Sequence, residues 1–473
     1  LTRRKADPNT DEKNFLEEKM NSFTLKKPLW LSVVFIILLS SAAFSQPAPK
    51  PFLQDIKVAE PEPTPLVKRT ASTASTATVD VASAGLDAID IPGYTGILIE
   101  TLDGKVVKES YSNYAFNPAS NVKVATAYAV LKTFGPDYRF PTSVWTDGTI
   151  DRFNGVLVGN LYVSGRDPVF TYENGVTIAD ALNAMGIKQV TGDLIVTDNF
   201  TMNYSASVAS SANMLMTSMD AAKRNTVAVR AWQNYVVNAK KFGKVSMNPS
   251  VTFGGKTYVQ PIPTNARLLF SHESPKMREI VKVMMCYSNN FLAERLGDMV
   301  GGPYAVARIV QTNAQVSPSE FVLATASGLG INRVTPQAQM KLLRTLRKEL
   351  EKHNMTFADI MPVAGVDDGT LENRFNSPLG VGSVVGKTGT LGRTDGGVST
   401  LSGEINTRKG KLLFVIFNQR GNVSRFRNFQ NNYIAIVQSY FGGGLPMKYD
   451  PMTLDARMAT TRIAYPQKYN EEE

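Results

Sequence analysis

Between residues 111 and 131 the chain carries one charged side chain, Lys123, and this stretch constrains the fold more than any other. Pro118 and the small polar Ser120 stand where a helix begins, and Gly135-Pro136 stand where it stops. The residues between them are apolar nearly all round, a pattern that suits burial on every side rather than a place on a surface. Ser120 and Lys123 are three residues apart and share one face of the first turn. A lysine in apolar surroundings loses hydration of its charged form, which lowers its pKa and makes it a candidate base. A serine with an adjacent base is a candidate nucleophile. The alternative is a helix cap followed by a lysine that snorkels to water. For these four residues alone the second reading is the commoner one, so the rest of the chain must decide.

At 473 residues there is room for two or more domains. A hydrophobic content of 43% with 19% charged residues describes a globular protein, not a disordered or fibrous one. The net charge of +10 raises nucleic acid as a partner, but no run of Lys and Arg interleaves with aromatics, so none is expected. A diffusely basic surface suits an anionic polymer such as cell wall. The single cysteine, Cys286, excludes an internal disulfide and a cysteine-based metal site. The two histidines, His272 and His353, leave little scope for zinc, and neither sits in a recognisable catalytic context. A hydrolase made from this chain would use a base other than histidine, with no metal and no organic cofactor.

The N-terminal region reads as an export signal over 20–45. Lys26 and Lys27 precede an apolar run over 29–39, and Ala43 and Ser45 supply small residues for cleavage after Ser45. That run is short for a spanning helix, although peripheral membrane contact stays open. Translation is expected to start at Met20, with 1–19 an upstream artefact, and the mature protein is expected in a periplasm. Residues 46–80, rich in Pro, Ala, Ser and Thr, read as a linker. Order is expected from about Val81. Asp103-Gly104 between two alternating apolar segments predicts a hairpin. Short strands and turns dominate 146–277, with a helix over 177–185, and 203–225 has no clear pattern. Helices are expected around Cys286 and over 336–352, a short strand over 384–389, and a hairpin turning at Thr407-Arg408-Lys409-Gly410. A helix over 426–441 should pack on that hairpin, followed by a loosely ordered tail over 446–473.

Three short motifs stand in order: Ser120-Asn121-Val122-Lys123, Ser288-Asn289-Asn290 and Lys387-Thr388-Gly389-Thr390. Taken singly, the second could be a loop between helices and the third a strand end. Together, one opening a buried helix and one ending an apolar strand, they are the S-x-x-K, S-x-N and K-T-G set of penicillin-binding proteins and β-lactamases. In that chemistry Ser120 attacks a carbonyl and Lys123 takes its proton, while Ser288 returns a proton to the leaving amine. Asn290 holds the substrate backbone, Lys387 and Thr388 meet a substrate carboxylate, and Gly389 lets a substrate strand lie close. The N–H groups of Ser120 and Thr390 would form the oxyanion hole.

The chain resembles the low-molecular-mass class C penicillin-binding proteins, D-alanyl-D-alanine carboxypeptidases of peptidase family S13. Beyond the three motifs, the resemblance is carried by Phe134-Gly135-Pro136-Asp137-Tyr138, Gly165-Arg166-Asp167-Pro168, Gly192-Asp193-Leu194 and Pro362-Val363-Ala364-Gly365-Val366-Asp367, and it runs from about 94 to 440. It implies an α/β, multi-domain protein. A β-lactamase/transpeptidase-like domain (81–145 and 278–445), an antiparallel sheet flanked by helices, is interrupted by an inserted, mainly β domain (146–277). It also implies cleavage of peptidoglycan stem peptides ending in D-Ala-D-Ala, with D,D-endopeptidase activity as a companion, and covalent inhibition by β-lactams. Two departures stand out. The insertion between Ser120 and Ser288, about 165 residues, is short for the family. Thr325-Ala326-Ser327-Gly328-Leu329 also has a threonine where the family carries aspartate.

Two rival readings follow from the same residues. A β-lactamase or esterase of this fold would use Tyr287-Ser288-Asn289 as Y-x-N, one residue out of step with Ser288-Asn289-Asn290. The run Asn290-Phe291-Leu292-Ala293-Glu294 favours the serine register. A non-catalytic peptidoglycan or β-lactam binder is the other rival, and the intact motif residues speak against it.

Overall fold

A computed structural model describes residues 93–239, 246–378 and 380–466. The expected upstream segment (1–19), signal peptide (20–45) and linker (46–80) lie outside the described residues, as does the start of order at Val81. Among the described residues no helix is long and apolar enough to cross a membrane.

The strand Gly410–Gln419 reads as an unbroken apolar run because both of its faces are covered. Leu413, Val415 and Phe417 point to one core, while Leu412, Phe414 and Ile416 point to another, the period-2 alternation of a pleated strand. This strand sits in the middle of a five-stranded antiparallel sheet. The strand order is Val384–Leu391, Val398–Thr407, Gly410–Gln419, Tyr94–Thr101, Val106–Ser110. Both expected hairpins are present. Gly104, at φ +96°, closes the first, where Thr101 and Lys105 bond through their backbones at 2.9 Å. The second pairs Thr407 with Gly410.

One face of the sheet packs on the helix Val423–Tyr440 through Phe429, Tyr433, Ile434 and Val437. On the other face the helix Pro336–Glu351 and the turn Ala119–Asn121 contact the strands, and that helix shares a core with the helix Val122–Phe134, every residue of which from Val122 to Leu131 is buried. It is ringed by the helices Met277–Tyr287, Asn290–Met299, Gly302–Ala314 and Pro336–Glu351. The largely apolar sequence thus has the surroundings it requires. Gly135 ends the helix, its N–H bonded to the Leu131 carbonyl at 2.9 Å.

Residues 141–273 build a second core. A six-stranded sheet runs Thr257–Val259, Leu194–Val196, Leu161–Gly165, Pro141–Thr146, Arg267–Glu273, Arg462–Ala464, beside a four-stranded one of very short strands. This region differs in detail from the strand-rich expectation. It carries the helices Tyr172–Ala184, Val208–Met219 and Thr226–Ala239. The first begins five residues early because Asn174 Oδ1 accepts the Thr171 N–H at 2.8 Å, closing its first turn. The second lies in the patternless 203–225 stretch and is capped by Ser207, which accepts the Ser210 N–H at 3.2 Å. The stretch after Gly444 is also more regular than expected. It contains the helix Leu454–Met458 and the strand Arg462–Ala464, which pairs with Ser271, His272 and Glu273.

Candidate active site

Ser120 sits on a 3-10 turn, Ala119–Asn121, that leads into the buried helix. Ala119 holds φ at +46°, a conformation costly for a residue with a Cβ. The turn is held from both sides. Asn117 Oδ1 accepts the Ala119 N–H at 3.0 Å, and Asn117 Nδ2 donates to Asp395 at 2.8 Å and to the Gly330 carbonyl at 3.0 Å. Arg333 in turn forks onto Asp395 at 2.9 and 3.0 Å. From below, Thr400 Oγ1 donates to the Pro118 carbonyl at 2.8 Å and accepts from Asn121 Nδ2 at 2.7 Å. Ser402 donates to Asn121 Oδ1 at 2.6 Å. The sequence gives no sign of the supports from Gly330, Asp395, Thr400 and Ser402, because they lie 213 to 282 residues from the groups of the turn that they meet.

Lys123 is fully buried. Its Nζ donates to Ser120 Oγ at 3.0 Å, Asn290 Oδ1 at 2.6 Å and the Ser327 carbonyl at 2.7 Å. Burial pulls its pKa down to about 7, and the Glu294 carboxylate opposes that shift only in part. The lysine does not snorkel. Its amine stays within hydrogen-bond reach of the Ser120 hydroxyl.

The register of the second motif is decided by what each asparagine touches. Asn289 Oδ1 accepts the Leu292 N–H at 3.0 Å and caps the helix Asn290–Met299. Asn290 faces Lys123 instead. Ser288, in left-handed backbone at φ +53°, ends the helix Met277–Tyr287, and its Oγ accepts from Lys387 Nζ at 2.9 Å. This corner rests on a buried network. Lys282 Nζ donates to Asp367 Oδ2 at 2.7 Å and to the carbonyls of Ala358 and Met361 at 2.7 and 2.6 Å. Tyr449 donates to the other Asp367 oxygen at 2.9 Å. The loop that supplies Asp367 also bonds the corner directly, the Thr370 N–H to the Cys286 carbonyl at 3.0 Å. Cys286 itself is buried, and burial pushes its thiol up to about 12, so it is no rival nucleophile.

Lys387, Thr388, Gly389 and Thr390 lie on the edge strand Val384–Leu391, paired with Ser402, Leu401, Thr400 and Ser399. Lys387 is fully buried and also donates to the Thr388 carbonyl at 2.7 Å. Burial, with the nearby Lys123 charge, drives its pKa well below the usual lysine value. A Cβ on Gly389 would meet Thr400 Oγ1 at 2.2 Å and the Pro118 carbonyl at 2.8 Å. The glycine therefore makes room for the Ser120 turn. Thr390 is exposed, and its hydroxyl accepts from Arg427 at 3.0 Å.

Thr325, in the place of the family aspartate, still shapes its loop: Oγ1 accepts the Gly328 N–H at 3.0 Å and donates to the Leu329 carbonyl at 2.9 Å. Of the histidines, His272 lies in the second core beside Phe170, and burial lowers its pKa to about 3. Among the described residues no group of three or more His, Cys, Asp or Glu could hold a metal ion.

A family model described as the D-Ala-D-Ala carboxypeptidase 3 (S13) family matches residues 79–208 and 217–439. A D-alanyl-D-alanine carboxypeptidase of an Actinomadura species is 26% identical over 421 residues, covering 68% of this chain and 77% of its own. The D-alanyl-D-alanine carboxypeptidase DacB of Haemophilus influenzae is 25% identical over 414 residues, covering 68% and 84%. Among solved structures, the penicillin G-acylated predatory endopeptidase of Bdellovibrio bacteriovorus, in complex with its immunity protein, shares the fold. Its TM-score is 0.66 at 20% identity, over 79% of this chain and all of that one.

Proposed function

The chain belongs to the D-Ala-D-Ala carboxypeptidase 3 (S13) family, and from that premise we propose that Ser120, Lys123 and Ser288 carry out serine-type D-Ala-D-Ala hydrolysis on peptidoglycan stem peptides. The observation that carries this reading is the environment of Lys123. Asn290 Oδ1 and the Ser327 carbonyl can only accept hydrogen bonds from it. A neutral amine has two N–H bonds, and these two acceptors take both. Its lone pair is left pointing at Ser120 Oγ, which supports proton removal from that hydroxyl.

As Oγ bonds to the carbonyl carbon of the penultimate D-Ala, its proton passes to Lys123 Nζ. Negative charge gathers on the carbonyl oxygen, where the backbone N–H groups of Ser120 and Thr390 would meet it. Collapse breaks the C–N bond, and Ser288 hands a proton to the leaving amine and regains one from Lys387 along their hydrogen bond; the proton that Lys123 took from Ser120 makes good that loss, so Lys123 is neutral again. Water then attacks the Ser120 ester by the same route, releasing the shortened peptide. Lys387 and Thr388 meet the terminal carboxylate, and that negative charge would favour the lysine's charged form as substrate binds. An internal D-Ala cross-link differs only in the amine that leaves, so D,D-endopeptidase cleavage is part of the same proposal. A β-lactam presents a strained amide to the same serine, and the acylated Bdellovibrio relative supports that reaction here. Export to a periplasm through the 20–45 signal, with cell wall as the polymer met there, completes the reading.

The test is labelling of the purified protein with a fluorescent penicillin, followed by intact mass over time, alongside D-Ala release from a D-Ala-D-Ala peptide. A long-lived adduct and slow peptide turnover, both absent in Ser120→Ala, are expected. Rapid loss of the adduct with free hydrolysed penicillin would make the protein a β-lactamase. No adduct on folded protein would leave it a binder.

A further inference from the structure

The loop 325–328 is wedged between the Ser120 turn and the helix Asn290–Met299. On one side, Gly328, at φ +88°, lies so near the turn that a Cβ would fall 1.9 Å from the Ala119 carbonyl oxygen. On the other, a Cβ on Gly297 would fall 2.4 Å from that of Ala326. One turn before Gly297, on the same face, Glu294 accepts the Ala326 N–H at 3.1 Å and the Ser327 N–H at 2.9 Å, one on each carboxylate oxygen. The carbonyls of those two residues face the nucleophile's helix. Ala326 accepts from Thr126 Oγ1 at 2.6 Å, and Ser327 accepts from Lys123 Nζ at 2.7 Å.

We propose that Glu294 is a positioning residue for the base. Its carboxylate grips two consecutive N–H groups from the helix side, so that the Ser327 carbonyl is aimed at Lys123 Nζ, and it supplies the nearest negative charge to that amine. The inference rests on the reading of Lys123 as base given above. Without the grip, the loop could turn the Ser327 carbonyl away, and the amine would lose one of the two acceptors that aim its lone pair at Ser120. Of the charged groups beside Lys123, Glu294, from the helix Asn290–Met299, opposes the effect of burial, and Lys387, from the strand Val384–Leu391, is itself held down by the Lys123 charge, so as a like charge it can only lower the Lys123 pKa further. Ser120, Asn290 and the Ser327 carbonyl are uncharged. Removing the Glu294 charge leaves burial and Lys387 unopposed, so neutral Lys123 persists to lower pH.

Two variants separate the charge from the reach. Acylation by a chromogenic β-lactam is measured by stopped flow against pH, with thermal melts to establish folding. In Glu294→Gln the acid limb of the profile is expected to move down by about half a pH unit or more. In Glu294→Asp the charge is kept but the grip is shortened. The limb should stay in place while the plateau rate falls about tenfold to a hundredfold. An unmoved limb in folded Glu294→Gln would overturn the charge role, and a wild-type plateau in folded Glu294→Asp would overturn the clamp. Should the glutamine variant fail to fold, the aspartate plateau still decides. Wild-type protein that forms no adduct at all would instead sink the underlying assignment of function, an outcome seen before either variant is made.

Discussion

The two cores of this molecule treat buried ionisable groups in opposite ways. Around the site, Lys123 has three acceptors, Lys282 has three and Lys387 has two. In the second core, Asp167 takes one hydrogen bond, from the Val169 N–H at 2.9 Å, and its other oxygen has no partner among the described residues. His272 Nδ1 is likewise unpaired there. Burying a charge without partners costs several kcal/mol, so a group in that position titrates to its neutral form instead. Asp167 is pushed up to about 7 and His272 down to about 3, both by burial, and both are therefore neutral over much of the usual range. The site spends its partners differently. It surrounds amines with oxygen atoms that remain useful when the amine is neutral. Burial in the second core silences charge, whereas burial at the site brings the Lys123 amine down to a pKa of about 7, where the proposed base role needs it.

The widest gap between the two should appear in rate. Lys123→Ala is expected to slow β-lactam acylation by about 10²–10⁴-fold, the contribution of a positioned base. In the wild type that rate should climb with pH and level off above about 7 as Lys123 becomes neutral. A pH-independent rate would remove the distinction drawn between the two cores.

A stability test comes next. The Lys282–Asp367 pair is buried under the Ser288 corner, and Asp367→Ala leaves an ammonium without its counter-charge. The loss should be about 3–5 kcal/mol by denaturant unfolding. A double change to apolar residues of similar volume should recover much of it while lowering acylation, because Ser288 loses its brace. Full recovery of both would show that the network serves stability alone.

The second core should respond to pH in its own way. Asp167 holds its proton more tightly folded than unfolded. Below pH 4 both states are protonated and the group contributes nothing. As pH rises from 4 through about 7 the unfolded chain ionises first, and stability falls by at most roughly 1.4 kcal/mol per pH unit. Asp167→Asn should flatten that slope, read as Tm against pH, and leave acylation unchanged. An unaltered slope would mean that Asp167 is ionised in the fold.

The smallest effect separates two neighbours in one motif. Asn289→Ala removes a helix cap and should cost about 1 kcal/mol of stability with little change in acylation. Asn290→Ala should do the reverse, because it removes an acceptor from Lys123. Equal effects on rate would reopen the Y-x-N register.

Much of the frame was legible from local pattern. The buried helix, the Asp103-Gly104 hairpin, the hairpin turning at Thr407–Gly410 and the long helices Pro336–Glu351 and Val423–Tyr440 depend on periodicity and turn residues within a dozen positions. The three motifs were legible for the same reason, each being short and contiguous. What escaped was non-local or short. The helix Val208–Met219 sits in a run of Ser, Ala and Met whose apolar face is weak, and the strand Arg462–Ala464 is three residues long and exists by pairing with the strand Arg267–Glu273.

The sequence by itself determined that one lysine would be carried into an apolar interior three residues from a serine, because no other residue near it can pay for exposure to water. Only the tertiary structure decided the surroundings that suit this lysine to the base role proposed for it. That outcome depends on Asn290 and Ser327, which lie 167 and 204 positions from Lys123, and on Glu294, which holds N–H groups 32 and 33 positions away. It decided also that Gly389 yields space to the Ser120 turn, and that Lys387 is buried beside a second amine. A pKa and a hydrogen-bond direction are properties of what surrounds a group in space, and chain order does not carry them.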